Sequence, residues 1–107
     1  MPESGVYSGG NEKYYFRWNV RETNPNGRNG RVDIHASRLD LPGVNNITCD
    51  DVRYWQGSLP KYTMDLDRDN KDLIELSDKL GINPKDWWGF SHGLHWIEVF
   101  GILLTPA

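Results

Sequence analysis

The sequence predicts an α+β domain: a small antiparallel sheet, made of an N-terminal hairpin and a C-terminal strand, packed against one main helix. Three observations carry that prediction. Between Tyr14 and Val20 apolar and polar residues alternate, which is the period of a half-buried strand. From Asp69 to Gly81 leucines recur at helical spacing between a start and a stop signal. Leu94 to Leu104 then forms the longest apolar run of the chain.

The helix is defined by its punctuation. Asp69 stands where a cap would accept hydrogen bonds from the free N–H groups of the first turn, and Asp72 adds a charge that suits the helix dipole. Leu73, Ile74, Leu76 and Leu80 make the apolar stripe. Gly81 occupies the left-handed C-cap position, and Ile82 follows as the residue that folds back on the last turn. Asn83, Pro84 and Asp86 repeat a start signal, so a short helical turn carries Trp87 and Trp88 and ends at Gly89. The run Leu94 to Leu104 is rich in β-branched and aromatic residues, and predicts a central strand buried on both faces. Its eleven residues are too few to cross a bilayer. With no charged-then-apolar leader at Met1, the expectation is a soluble, cytoplasmic chain with no membrane partner.

In chain order, residues 1–12 are rich in Gly and Ser without an apolar period, and predict a flexible N-terminal arm before a single domain over 13–107. In the first strand Tyr14, Phe16, Trp18 and Val20 point inward, and Tyr15, Arg17, Asn19 and Arg21 outward. The turn formers Asn24 to Gly30 join it to a second strand whose inner face is Val32, Ile34 and Ala36, with Arg31, Asp33 and His35 outside. Leu41-Pro42-Gly43 breaks that strand. Thr48 to Asp51 fits a capping box opening a short helix through Val52 and Trp55, the reading favoured slightly over a short strand ending in two carboxylates. Tyr62 to Leu66 predicts a short extended segment.

Composition narrows the function classes. The 107 residues support one modest core, and five Trp raise the apolar area that each buried residue supplies. The lone Cys49 demands nothing of the redox environment. Residues 1–49 carry six basic and five acidic groups, and residues 50–107 six and ten, a balance that argues against nucleic acid as a partner.

Cys49-Asp50-Asp51, the segment Tyr62 to Asp67, the helix Asp72 to Gly81, Trp87 and His95 fall in an order that resembles a family of short phage and prophage proteins. That family's pattern is a strand ending in paired Asp, a His-x-x-x-Asp segment, a Leu-rich helix ending in Gly, an aromatic and a terminal His motif. The resemblance covers about half the chain. Here Tyr62 or Thr63 stands in place of the first His, Ile74 or Glu75 near the helix His, and His95-Trp96-Ile97-Glu98 replaces His-Tyr-Asp. The family has no established activity, so the resemblance implies a phage-like origin more than a mechanism.

Several constellations could carry chemistry. Asp65, Asp67 and Asp69 alternate like the start of a calcium loop, but Asn70 replaces the required Gly and Leu76 the bidentate Glu. Solvated carboxylates leading into a helix account for them. His92, His95 and Glu98 are spaced by three, and Asp50 or Asp51 would complete a metal site on a helix. On a strand His95 and Glu98 point to opposite faces. A small metal-dependent hydrolase using Asp50, Asp51, His95 and Glu98 is therefore the alternative function. Nothing around Cys49 resembles a nucleophile turn, with His35 or His95 as a base. A single-stranded nucleic-acid face of Tyr15, Arg17, Arg21 and Arg31 has one stacking ring only. The leading expectation rests on Tyr54, Trp55, Tyr62, Trp87 and Trp88. Two consecutive Trp on a short turn cannot both enter one core, and exposed Trp beside Tyr and charge is the composition of a protein-binding hot spot. The sequence thus predicts a non-enzymatic binding module without cofactor or metal, whose partner is a host or cognate protein, such as the target of a phage-encoded inhibitor of host defence or of an immunity-type protein.

Overall fold

Strand pairing dominates the computed structural model, which describes residues 2–21, 28–57 and 63–107. Eight strands occur among the described residues: β1 (Gly5–Gly10), β2 (Tyr14–Arg21), β3 (Asn29–Arg38), β4 (Ile47–Gln56), β5 (Thr63–Leu66), β6 (Phe90–Ser91), β7 (Ile97–Val99) and β8 (Ile102–Pro106). They lie in the order β6-β5-β4-β3-β2-β1-β8-β7, with every paired neighbour antiparallel. A bridge from His92 to Ile97 brings β7 back to the β6 end, so the sheet is a nearly closed barrel. The expected α+β fold with a small sheet is therefore overturned. One short helix, α1 (Lys71–Leu80), joins β5 to the β6 side through a 3-10 turn at Pro84–Asp86.

The β2–β3 hairpin has the expected faces, with Phe16, Trp18 and Val20 opposite Ala36, Ile34 and Val32, all buried. The turn formers Asn24 to Gly27 lie outside the described residues.

Four expectations are corrected. The stretch assigned to a flexible arm contains β1, which pairs with β2 and β8; among its residues only Tyr7 is a large side chain turned into the core, so no apolar period announced it. The favoured helix at Thr48 is instead β4. A β-bulge between the pairs Val32–Val52 and Ile34–Cys49 spaces the inward residues Cys49 and Val52 by three, which imitates helical periodicity. The C-terminal run is not one strand buried on both faces. Phe100 (φ 50) and Gly101 (φ 77) form a two-residue turn with both φ positive, which folds β7 onto β8 and leaves Glu98 and Leu103 outside. Finally, the helix cap is Asn70, whose Oδ1 accepts from the Leu73 amide at 3.0 Å, while Asp69 sits in the preceding turn. Gly81 ends α1 in the left-handed conformation, and the Ile82 amide donates back to the Ser77 carbonyl at 2.9 Å.

Helix α1 lies across the end of the barrel where β2 and β4 start and β3 ends. The Tyr14 hydroxyl and Arg38 Nη1 both donate to the Leu80 carbonyl, and Leu73, Leu76 and Leu80 are buried. Trp87 is the hub beneath it. Its indole N–H donates to Ser77 Oγ at 2.6 Å, and its rings contact Phe16, Trp18, Phe90 and Phe100 at centroid distances of 5.1 to 6.4 Å.

Candidate functional site

Alternation along β4 turns Tyr54 into the core and Trp55 out of it. Trp55 is the cross-strand partner of Asp65 on β5 and is 40% exposed. Beyond Leu66 the chain turns over Asp67, whose Oδ1 accepts from the Asp69 amide, and enters α1. Arg68 Nη1 donates to the Lys85 carbonyl at 2.9 Å, which holds this turn against the 3-10 turn. Between them lies a cleft of about 490 Å³, lined by Trp55, Leu66, Arg68, Ile74, Pro84 and Lys85 together with Asp67 and Asp69. The lining combines the apolar Trp55, Leu66, Ile74 and Pro84 with side chains of both charges.

The tryptophan pair is split as a short turn requires. Trp87 is fully buried, whereas Trp88 is 44% exposed. The next residue, Gly89, donates its amide to Asp65 Oδ1 at 2.7 Å. Asp65 therefore lies between Trp55, across the strand pair, and the backbone that carries Trp88. Of the five predicted partner-binding residues, Trp55 and Trp88 are exposed. Tyr54 and Trp87 belong to the core, and Tyr62 lies outside the described residues.

The alternative catalytic set is not brought together. Asp51 (φ 62) forms the bulge on the outer face of the sheet, where its amide donates to Asp33 Oδ1 and its carboxylate meets Arg21 at 3.1 Å and Arg31 at 3.6 Å. Arg21 also grips Asp33 with two bonds of 2.9 Å. Partial burial alone would raise the Asp33 carboxyl, but the bonds from Arg21 and the Asp51 amide outweigh it and hold it below its ordinary range. Asp50 faces a smaller cleft of about 260 Å³ beside α1, with Cys49, Asp72, Glu75 and Lys79. His95 is at the opposite end of the barrel, 3.1 Å from Glu3, and Glu98 points out from β7. Among the described residues no three His, Cys, Asp or Glu side chains gather where they could hold a metal ion. Asp65 and Asp67, the supposed start of a calcium loop, instead accept backbone amides.

Burial, aided by Asp72 and Asp50, pushes the Cys49 thiol up to about 12, so it is a neutral apolar filler and no nucleophile. His92 is buried with Nδ1 3.2 Å from the Gly93 carbonyl, and burial lowers its pKa.

Arg53, Ile74 and Pro84 belong to the surface around Trp55 but were not among the residues expected to bind a partner. Arg53 and Trp55 alternate with Val52 and Tyr54, a signal masked by reading β4 as a helix. Compared with family models, curated proteins and solved structures, the chain matches none. Among the described residues no helix is long and apolar enough to cross a membrane.

Proposed function

We propose that this chain is a small cytoplasmic, non-enzymatic protein-binding module that docks a partner protein on the Trp55 cleft and the adjoining Trp88. The observation that supports the reading is the exposure of two neighbouring indoles, Trp55 at 40% and Trp88 at 44%, on a fold that buries Trp18 and Trp87 completely; a third exposed indole, Trp96 at 38%, does not line the cleft. An indole left in water forgoes the burial of a large apolar area. Exposed Trp at a cleft with charged side chains in its lining is the arrangement in which a few side chains carry most of a binding energy. The resemblance to phage proteins directs the choice of partner to a host or cognate protein, and the role to an inhibitor of host defence or an immunity-type protein. No observation favours the hydrolase of Asp50, Asp51, His95 and Glu98.

The test uses the full tagged chain, with capture from host lysate followed by affinity measurement on the captured protein. Trp88→Ala and Trp55→Ala are expected to keep the melting temperature within about two degrees and to weaken capture by about 2 kcal/mol, roughly thirtyfold in Kd. Unchanged capture by both variants would overturn the assignment of the surface. Stoichiometric metal in the wild-type protein, lost in a folded Asp51→Ala variant along with hydrolytic turnover, would overturn the non-enzymatic reading.

A further inference from the structure

The outer face of β2, β3 and β4 carries its charges in rows. Arg21, Arg31 and Arg53 are cross-strand partners in one row, and Arg17 partners His35 in another. Asp33 and Asp51 lie between the rows and serve Arg21 and Arg31. Among the described residues no carboxylate lies within ion-pair distance of Arg17 or Arg53. Like charges set directly opposite on neighbouring strands destabilise a sheet, so the Arg31–Arg53 pair is a local cost that an anion would relieve. On the outward positions of these strands four arginines stand against three carboxylates, Asp33, Asp50 and Asp51, whereas the rest of the chain sets eight Lys and Arg against twelve Asp and Glu. Two exposed rings stand at opposite corners: Tyr15, 38% exposed, two residues before Arg17, and Trp55, two residues after Arg53.

We propose that this face receives an extended acidic segment of the partner protein, with one carboxylate on Arg31 and Arg53, a second on Arg17, and an apolar residue on Trp55. The inference rests on the protein-binding reading, since Trp55 belongs to both surfaces. Arg31 and His35 are four residues apart on β3, so the two rows are about 13 Å apart along the strands. Two carboxylates four residues apart on an extended peptide match that spacing. The planar guanidinium fork donates two parallel hydrogen bonds to a carboxylate. A nucleic-acid strand fits less well. Its unbroken line of phosphates would have to pass Asp33 and Asp51. A peptide places its carboxylates only where the arginines stand.

The experiment titrates the ¹⁵N-labelled full chain with a random copolymer of glutamate and tyrosine, with polylysine and oligothymidylate in parallel. Amide shifts are expected to concentrate on β2, β3 and β4 and on the Trp55 indole, and to weaken as salt rises from about 50 to about 300 mM. The double variant Arg17→Ala/Arg53→Ala is expected to keep a folded spectrum and to lose at least about tenfold in affinity. Trp88→Ala should bind the copolymer as the wild type does. Shifts that fall elsewhere, a double variant that binds unchanged, or oligothymidylate binding more tightly on the same strands would each overturn the inference. Capture of a host protein that Trp88→Ala weakens and the double variant does not would overturn it while leaving the protein-binding reading intact. Failure of the wild-type chain to capture any host protein would overturn that reading, whatever the copolymer does.

Discussion

Strands β2, β3 and β4 run for 8, 10 and 10 residues, whereas β5 to β8 run for 4, 2, 3 and 5. The two halves of the barrel solve the same problem differently. Long strands hold one another by an extended ladder and free their outer face for charge, here the network of Arg21, Asp33, Asp51 and Arg31. Strands of two to five residues offer few ladder bonds, and a hairpin of two of them is marginal by itself. They are held instead by the aromatic cluster around Trp87 and by α1, whose Ser77 accepts the Trp87 indole N–H. Architecture in one half comes from the backbone, in the other from a few large side chains.

The largest test of that contrast is Trp87→Ala. Removing a fully buried indole that touches four other rings should cost about 3 to 5 kcal/mol in denaturant unfolding, as large-to-small core changes do. Arg17→Ala, on the outer face of the long strands, should change stability by no more than about 0.5 kcal/mol. Similar values for the two would mean that the short strands do not depend on the cluster. A smaller effect is expected at the other support of that half. At Gly81 (φ 73) a Cβ is strained by the left-handed backbone and would crowd Arg38 Nη1, so Gly81→Ala should lower stability by about 1 kcal/mol. A thermal midpoint equal to or above that of the wild type would show that α1 tolerates another end.

The same contrast explains what could be read from the chain. The β2–β3 hairpin was legible because seven successive residues, Tyr14 to Val20, keep strict alternation, and the end of α1 was legible because Gly81 and Ile82 have one structural meaning together. Elsewhere a local signal was outweighed by pairing. The bulge at Asp51 changed the inward spacing of β4 from two to three, and the turn at Phe100 and Gly101 hid inside an apolar run. β1 is nearly silent, since its core contribution is one tyrosine and its partners are remote in sequence. For the candidate site, sterics alone required one of Trp87 and Trp88 to stay outside. Which one depends on how the turn after Asp86 meets Ser77, a tertiary contact absent from any local pattern. The grouping of Arg31 with Arg53 required knowing that β4 is a strand.

The smallest expected effect separates charge from shape on the long strands. The Asp33 carboxyl is held below its ordinary value of 3.8, burial opposing and Arg21 with the Asp51 amide prevailing. A carboxyl depressed by folding contributes stability that is complete above the unfolded value and is lost as pH falls through the lower folded value. Unfolding free energies of the wild type and Asp33→Asn should therefore differ most above about pH 4 and converge in stronger acid, where Asp33 is protonated and asparagine resembles it. The gap should also narrow with added salt, because the Arg21 side chain is 34% exposed and the pair is partly screened. A gap of constant size from acid to neutral pH would mean that Asp33 acts through the shape of the bulge, accepting the Asp51 amide as an asparagine oxygen also would, and that its charge adds nothing. The outer face would then owe its order to the ladder alone. Arg21 and Arg31 would be as free as Arg53 to meet a partner's carboxylates.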